Sequence, residues 1–204
     1  AIDEAAKRAQ LHNVRAATFL QMDVTQSLAF EKNTFDLVHM RTASPFISAQ
    51  AWPTVINELI RIVRPGGWLT IIDYEQGPTS SMAFNTITTL IMKAVRATNS
   101  SFAPATLTTG AAARLYGFLL NAYLLDVSYT IHAVDFGVRN TVDAREFVEG
   151  ILAVAAQFQP LLHHLDLVKP CEYKSLIARA RKELTLPSAC SYGILIAAVG
   201  RKDG

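Results

Sequence analysis

The sequence predicts an α/β fold organised around one βαβ unit, and three observations in residues 35–74 carry that expectation. Phe35–Arg41 and residues 68–74 are apolar runs without strict alternation, as befits strands of a parallel sheet covered on two faces. Between them Trp52, Val55, Ile56, Leu59, Ile60 and Val63 recur at the spacing of one helical face. The punctuation agrees: Pro53 suits a first helical turn, Pro65 cannot continue the helix, and Gly66-Gly67 permit the positive φ of a tight reversal.

The same residues carry a family resemblance. Phe35-Asp36-Leu37-Val38, then Glu58-Leu59 with Arg61-Ile62-Val63-Arg64-Pro65-Gly66-Gly67, then Ile71-Ile72-Asp73, resemble the central motifs of class I methyltransferases that use S-adenosylmethionine. Ile62-Val63-Arg64 stand where Val-Leu-Lys is usual. The resemblance implies a Rossmann-like sheet, mostly parallel, with an antiparallel C-terminal strand and helices on both faces. It also implies an earlier strand, a Gly-rich loop and an acidic residue that holds the ribose hydroxyls. Neither loop nor acid stands in these residues, so the expectation is a partial domain over residues 1–204 with its first strand or strands missing. Asp3 and Glu4 belong to a following helix, in which Ile2, Ala5, Ala6 and Ala9 share a face and Asn13 marks the stop.

After that helix, residues 18–23 read as a short strand ending in Asp23. Asp23-Val24 resemble the family's adenine clamp, in which a carboxylate accepts from the exocyclic amine and the next backbone N–H meets a ring nitrogen. The alternative is an Asp that caps a helix or turn. Residues 28–34 resemble the approach to the next strand without its proline, and Asp36 reads as structural. His39, Met40 and Arg41 leave that strand at its carboxyl end, where ligands bind in open α/β sheets. The resemblance implies that His39 and Met40 meet the methionine part of the cofactor. His39 reads as a base or, preferably, as a half-buried side chain satisfied by backbone. Arg41 either pairs an anionic substrate group or caps its loop.

Residues 73–75 end the next strand, which makes Tyr74 and Glu75 substrate-pocket candidates. Methyl transfer is an in-line displacement governed by alignment, so no catalytic residue need announce itself, and none does. Residues 82–97 read as a helix with Ile87, Leu90, Ile91, Ala94 and Val95 on one face, residues 99–104 as a loop, and residues 109–121 as a second helix containing Gly117. Residues 78–122 are then an insert that closes over the acceptor, with Met82, Phe84, Phe102 and Tyr116 facing it or simply buried in core.

Residues 121–127 resemble the approach to a further strand over 127–133, with Ala122 for the usual Gly. Residues 143–165 form a helix that Pro160 kinks or ends, and 171–184 a basic helix with a solvated face. Residues 192–199 are a buried strand. His163 and His164 project about 100° apart on a helix and make poor joint metal ligands, so no metal is expected.

With 50% apolar and 18% charged residues, the 204-residue chain reads as one globular domain. A net charge of +2 without a Lys or Arg cluster argues against nucleic acid. No apolar run reaches the ~18 residues of a bilayer span. Cys171 and Cys190 have no metal-type spacing and read as buried or incidental thiols of a reducing, cytoplasmic setting. The function expected is S-adenosylmethionine-dependent methyl transfer to a small molecule of some apolar character. The rivals are a nicotinamide-dependent reductase, whose G-x-G-x-x-G loop is not seen, and a non-catalytic module of the same fold.

Overall fold

The computed structural model describes residues 2–103, 108–136 and 142–204, with backbone alone at residues 4 and 142–144. Four strands form one mixed sheet in the order β1-β2-β4-β3. β1 (Phe35–Arg41) runs parallel to β2 (Val63–Thr79), with Leu37 opposite Trp68 and Arg41 opposite Ile72. β4 (Ser191–Arg201) lies antiparallel between β2 and β3 (Leu125–Asp135). β1, β2 and β3 therefore point the same way and the last strand alone runs against them, which is the mostly parallel sheet with an antiparallel C-terminal strand that the sequence led one to expect.

The central βαβ unit forms for the reasons its sequence gives. α2 (Trp52–Ile62) carries Pro53 in its first turn and buries Trp52, Val55, Ile56, Leu59 and Ile62. Val63 then turns extended, at φ −68° and ψ 135°, and the chain enters β2 directly. Residues 65–67 are thus part of β2, where the sequence suggested a break. Gly66 does adopt a positive φ of 73°. Gly67 has a different constraint: a Cβ there would lie 2.8 Å from a Val63 methyl and 2.9 Å from the Asp36 carbonyl oxygen. The reversal is stitched to the carboxyl tail, since Gly66 N donates to Lys202 O and Lys202 N to Gly67 O. Lys202 Nζ also donates to Ile60 O at 2.9 Å and Val63 O at 2.8 Å, satisfying carbonyls that the end of α2 leaves open.

Two cores result. In the first, Val38, Met40, Leu69, Ile71 and Ala198 of the sheet pack against α2 and against Leu115 and Leu119 of α4 (Leu115–Asn121). The second is helical, joining α3 (Met82–Ala97), α5 (Val142–Gln157), α6 (Gln159–His164) and α7 (Pro170–Leu184) around Phe136 and Tyr173. α3 starts and stops where its periodicity predicts, with the Ser81 side chain accepting from Phe84 N.

Other expectations are corrected. Residues 18–23 are exposed and belong to no strand; no described strand lies beside them, and an unpaired strand has no partners for its backbone. The helix expected over 109–121 is a 3-10 turn, Ala112–Arg114, followed by α4. That over 143–165 divides at Phe158, with Pro160 in the first turn of α6, where a missing N–H costs nothing. α7 is not simply solvated, for it buries Tyr173, Ala180 and Leu184 against the helical core. Cys171 and Cys190 are free and exposed, so of the two readings the incidental one stands and the buried one does not. The loop expected over 99–104 ends at Pro104, outside the described residues. α1 (Ile2–Leu11) matches its pattern, and Asn13 follows at φ 55°. Among the described residues no helix is long and apolar enough to cross a membrane.

The family-like pair Glu58 and Arg61 has a structural task. Glu58 Oε1 accepts from Leu28 N at 2.6 Å, while Arg61 donates to Glu58, to Phe30 O at 2.9 Å and to Leu28 O at 3.1 Å. The loop before β1 is thereby clamped to α2. Hydrogen bonds from Arg61, then from Leu28 N, hold the Glu58 carboxyl down at about 2. A depressed folded value stabilises the protein above the ordinary carboxylate range, and that contribution is lost as pH falls through about 2. Urea denaturation should show Glu58→Gln less stable than the parent at pH 7, with the gap closing steadily from pH 4.5 towards 2. An equal gap at both ends of that range would contradict the clamp. Arg61→Met should lower the urea midpoint at pH 7, because the carbonyls of Phe30 and Leu28 lose a charged donor.

Candidate active site

At the carboxyl ends of β1 and β2 the two cores part around a cavity of about 440 Å³. Its floor is built by hydrogen bonds. β1 ends at Arg41, and Thr42 follows at φ 55°, a left-handed conformation that costs a β-branched residue about 1–2 kcal/mol. Thr42 N donates to Ile72 O at 2.8 Å, which anchors the turn on β2. Next, Ser44 N and Ser44 Oγ each donate to the Asp73 carboxylate at 2.9 Å, and Tyr74 N donates to it at 2.8 Å. Asp73 is 1% exposed, and burial pushes its carboxyl up against the pull of these donors.

Two residues further on, Glu75 holds a second loop. It accepts from Thr109 N at 3.0 Å, Thr109 Oγ1 at 3.2 Å and Ala112 N at 3.3 Å. Burial raises its carboxyl, with the Asp73 charge adding to the effect after these donors oppose it. Thr109 Oγ1 lies 3.4 Å from Ser44 Oγ, so the two carboxylates are joined through hydroxyls. Tyr74 stands between them on the other face of β2. Its hydroxyl donates to Gln76 Oε1 at 2.8 Å, and its ring lies 6.5 Å from that of Phe147. Burial raises its ionisation, so it stays a neutral phenol. A Cβ at Gly193 would overlap the Tyr74 ring and hydroxyl; that strand position must be bare for the ring to lie there.

The roof is apolar. α3 contributes Phe84, Ile91 and Met92, and α5 contributes Phe147, Ile151 and Val154. Enclosure by apolar walls with a few polar groups at one end is the usual build of a small-molecule site.

Of the residues singled out from sequence, Arg41, Tyr74, Glu75 and Phe84 line this cavity. Phe102 does not: it packs 5.6 Å from Phe118 and beneath the Arg114 guanidinium at 4.9 Å. The reason is the bond from Phe102 N to Thr109 O, which folds its loop back and turns the ring towards α4. Met82, in the first turn of α3, is 71% exposed, and Tyr116 packs edge-on against Tyr129. His39 is exposed rather than half-buried, because its face of β1, shared with the exposed Leu37, has no helix over it among the described residues. Met40 is buried in the first core, with Val24 packed against that core. Asp23 Oδ1 accepts from Thr25 N at 2.9 Å and Thr25 Oγ1 at 2.7 Å, a side-chain turn that lowers its carboxyl and leaves Oδ2 unengaged.

Sequence reasoning missed Thr42, Ser44 and the cavity face of α5. The last had a signal, since Phe147, Ile151 and Val154 extend the apolar arc well beyond the core-facing Val148, Leu152 and Ala155.

A mixed sheet with helices on both sides and a cavity at the carboxyl ends of β1 and β2 is the architecture of a class I methyltransferase fold. Residues 1–67 match the family model described as a methyltransferase domain. The fold and the matched first third of the chain are both similar to those of methyltransferases. A Bacillus halodurans protein assigned as a methyltransferase is similar at TM-score 0.51 and 14% identity, over 100% of this chain and 79% of that one. YcgJ of Bacillus subtilis is similar at 0.48 and 16%, over 100% and 79%. Haemonchus contortus phosphoethanolamine N-methyltransferase 2, with phosphomonomethylethanolamine and S-adenosylhomocysteine, gives 0.48 and 15%. This chain is covered over 98% there but spans only 40% of that enzyme. No curated protein sequence matches the chain.

Gly193→Ala should lower stability by about 1–3 kcal/mol, because the Tyr74 ring must leave its place. Tyr74→Ala in the same chain should restore part of that loss. A double-mutant cycle with coupling below about 0.5 kcal/mol would show that ring and glycine are independent.

Proposed function

We propose that the protein transfers a methyl group from S-adenosylmethionine to a small molecule with an apolar body. The observation that carries this reading is the apolar cavity at the carboxyl ends of β1 and β2, in a chain whose first third matches a methyltransferase domain. Asp23 fits the adenine end of the cofactor: Thr25 fixes one carboxylate oxygen and the other is left to accept. Val24 would hold the ring edge through its backbone N–H. His39 and Met40, near the end of β1, would border the methionine part.

When bound, S-adenosylmethionine supplies an electrophilic methyl on sulfur. The chain's own part is to align and to exclude water. α3 and α5 close the cavity from above, which gives residues 78–122 the role of a cover at α3 and leaves α4 to the core beneath the sheet. Asp73 and Glu75 are struts, their oxygens held by Ser44, Tyr74, Thr109 and Ala112. Tyr74, as a neutral phenol, positions the acceptor and does not deprotonate it. Free thiols at Cys171 and Cys190 suit a cytoplasmic setting.

Protein incubated with methyl-labelled S-adenosylmethionine and a small-molecule extract should move label into a solvent-extractable product. Phe84→Trp, which fills the cavity, should cut that transfer at least about tenfold while S-adenosylhomocysteine affinity stays within about threefold. Asp23→Ala should instead weaken S-adenosylhomocysteine binding about tenfold, by loss of a charged acceptor. No label transfer, or equal transfer by Phe84→Trp, would refute the assignment of the cavity.

A further inference from the structure

We propose that the acceptor is an amphipathic anion, its apolar body under α3 and α5 and its carboxylate or phosphate end on Arg41. This rests on the reading of the cavity as an acceptor site. Arg41 is an exposed residue in the cavity wall and makes no ion pair or hydrogen bond with any described residue. Other described arginines are engaged: Arg61 with Glu58, Arg64 with Asp36, Arg181 with Glu149 and Arg201 with Asp126. A guanidinium left open at the edge of an apolar chamber suits a carboxylate or phosphate, whose oxygens match its planar donor fork.

The other charges in the wall sharpen the selection. Asp73 and Glu75 each already accept three hydrogen bonds from the protein, which leaves them little to offer an amine. Glu146 of α5 also lines the cavity and has no partner among the described residues. It belongs to the helical wall, whereas Arg41 belongs to the sheet, so an anion is repelled from one wall and held at the other. The polar end therefore lies at the floor, beside the turn that Thr42 makes, and the body points up towards Phe84, Phe147 and Ile151. A neutral ligand would fill the same space with no use for Arg41, and an amine would meet that cation unpaired.

Four probes that share one chain length separate these cases: decanoate, decyl phosphate, decanol and decylamine, titrated into the full chain by calorimetry below their micelle concentrations. Decanoate or decyl phosphate should bind at least about tenfold tighter than decanol and decylamine, as a charge-assisted pair allows. Whichever of the two anions is tighter identifies the headgroup. Arg41→Gln should remove the preference while decanol affinity holds, and Glu146→Gln should tighten the anions or leave them unchanged. Equal binding of all four probes, tighter binding of decylamine, absence of binding, or a preference that survives in Arg41→Gln would overturn the proposal. S-adenosylhomocysteine titrated into the same preparation reports separately on the methyltransferase reading. Probe selectivity without cofactor binding would leave the anion site standing and sink the reaction.

Discussion

On β2, one residue past the pairing of Ile72 with the end of β1, a buried carboxylate accepts two hydrogen bonds from Ser44 and one from the backbone of Tyr74. Around that one group the chain makes its most demanding local arrangement. β1 and β2 are parallel and cannot share a tight turn, so nothing local fixes where the chain goes after Arg41. Asp73 does so from the neighbouring strand, catching Ser44 only three residues past the strand's end. The left-handed Thr42 is the consequence, and three nearby hydrogen bonds over-determine it. Glu75 repeats the device one residue pair later, for the loop at Thr109. Alternation along β2 puts both acids on one face and Tyr74 on the other, so floor and wall come from three consecutive residues.

The cavity exists because two cores meet imperfectly at this floor. The first core is fixed by α2, whose ends are both secured: Trp52 is buried at its start, and Lys202 holds its last carbonyls. The second core is largely helical, and the sheet meets it mainly through Tyr74 and Val134, which are only partly buried against it. Apolar surface thus remains beyond the end of β1, beside an open arginine and two carboxylates that three protein donors each hold. The proposed acceptor, apolar along its length and charged at one end, is chosen to match these two features.

Much of this could be read in the residues, and the misreadings share a cause. Periodicity located α2 and α3 because each buries a narrow stripe and carries its own start signal, Pro53 in one and Ser81 in the other. The βαβ unit and its reversal followed from Pro65 and Gly66. Residues 18–23 have a strand's composition, yet pairing is a property of the neighbour and not of the segment. Phe102 looked like a cavity residue for its place after β2, but a single backbone bond to Thr109 turned it away. Arg41 was legible because strand ends in α/β sheets face the ligand, and Tyr74 and Glu75 line the cavity although β2 runs on past them to Thr79. Ser44 and Thr42 were not, since their roles depend on Asp73 reaching across from another strand. α5, distant in sequence, reached the cavity through a topology that one sequence does not reveal.

The central claim is that the donor's sulfur and the acceptor meet where β1 and β2 end. Anomalous diffraction from crystals of the protein with S-adenosylhomocysteine locates that sulfur without reference to any acceptor. The account predicts its peak at the cavity mouth, beside Arg41 and Thr42 and open to the chamber under Phe84 and Phe147. A peak at the amino ends of the strands, or on the α2 side of the sheet, would contradict it.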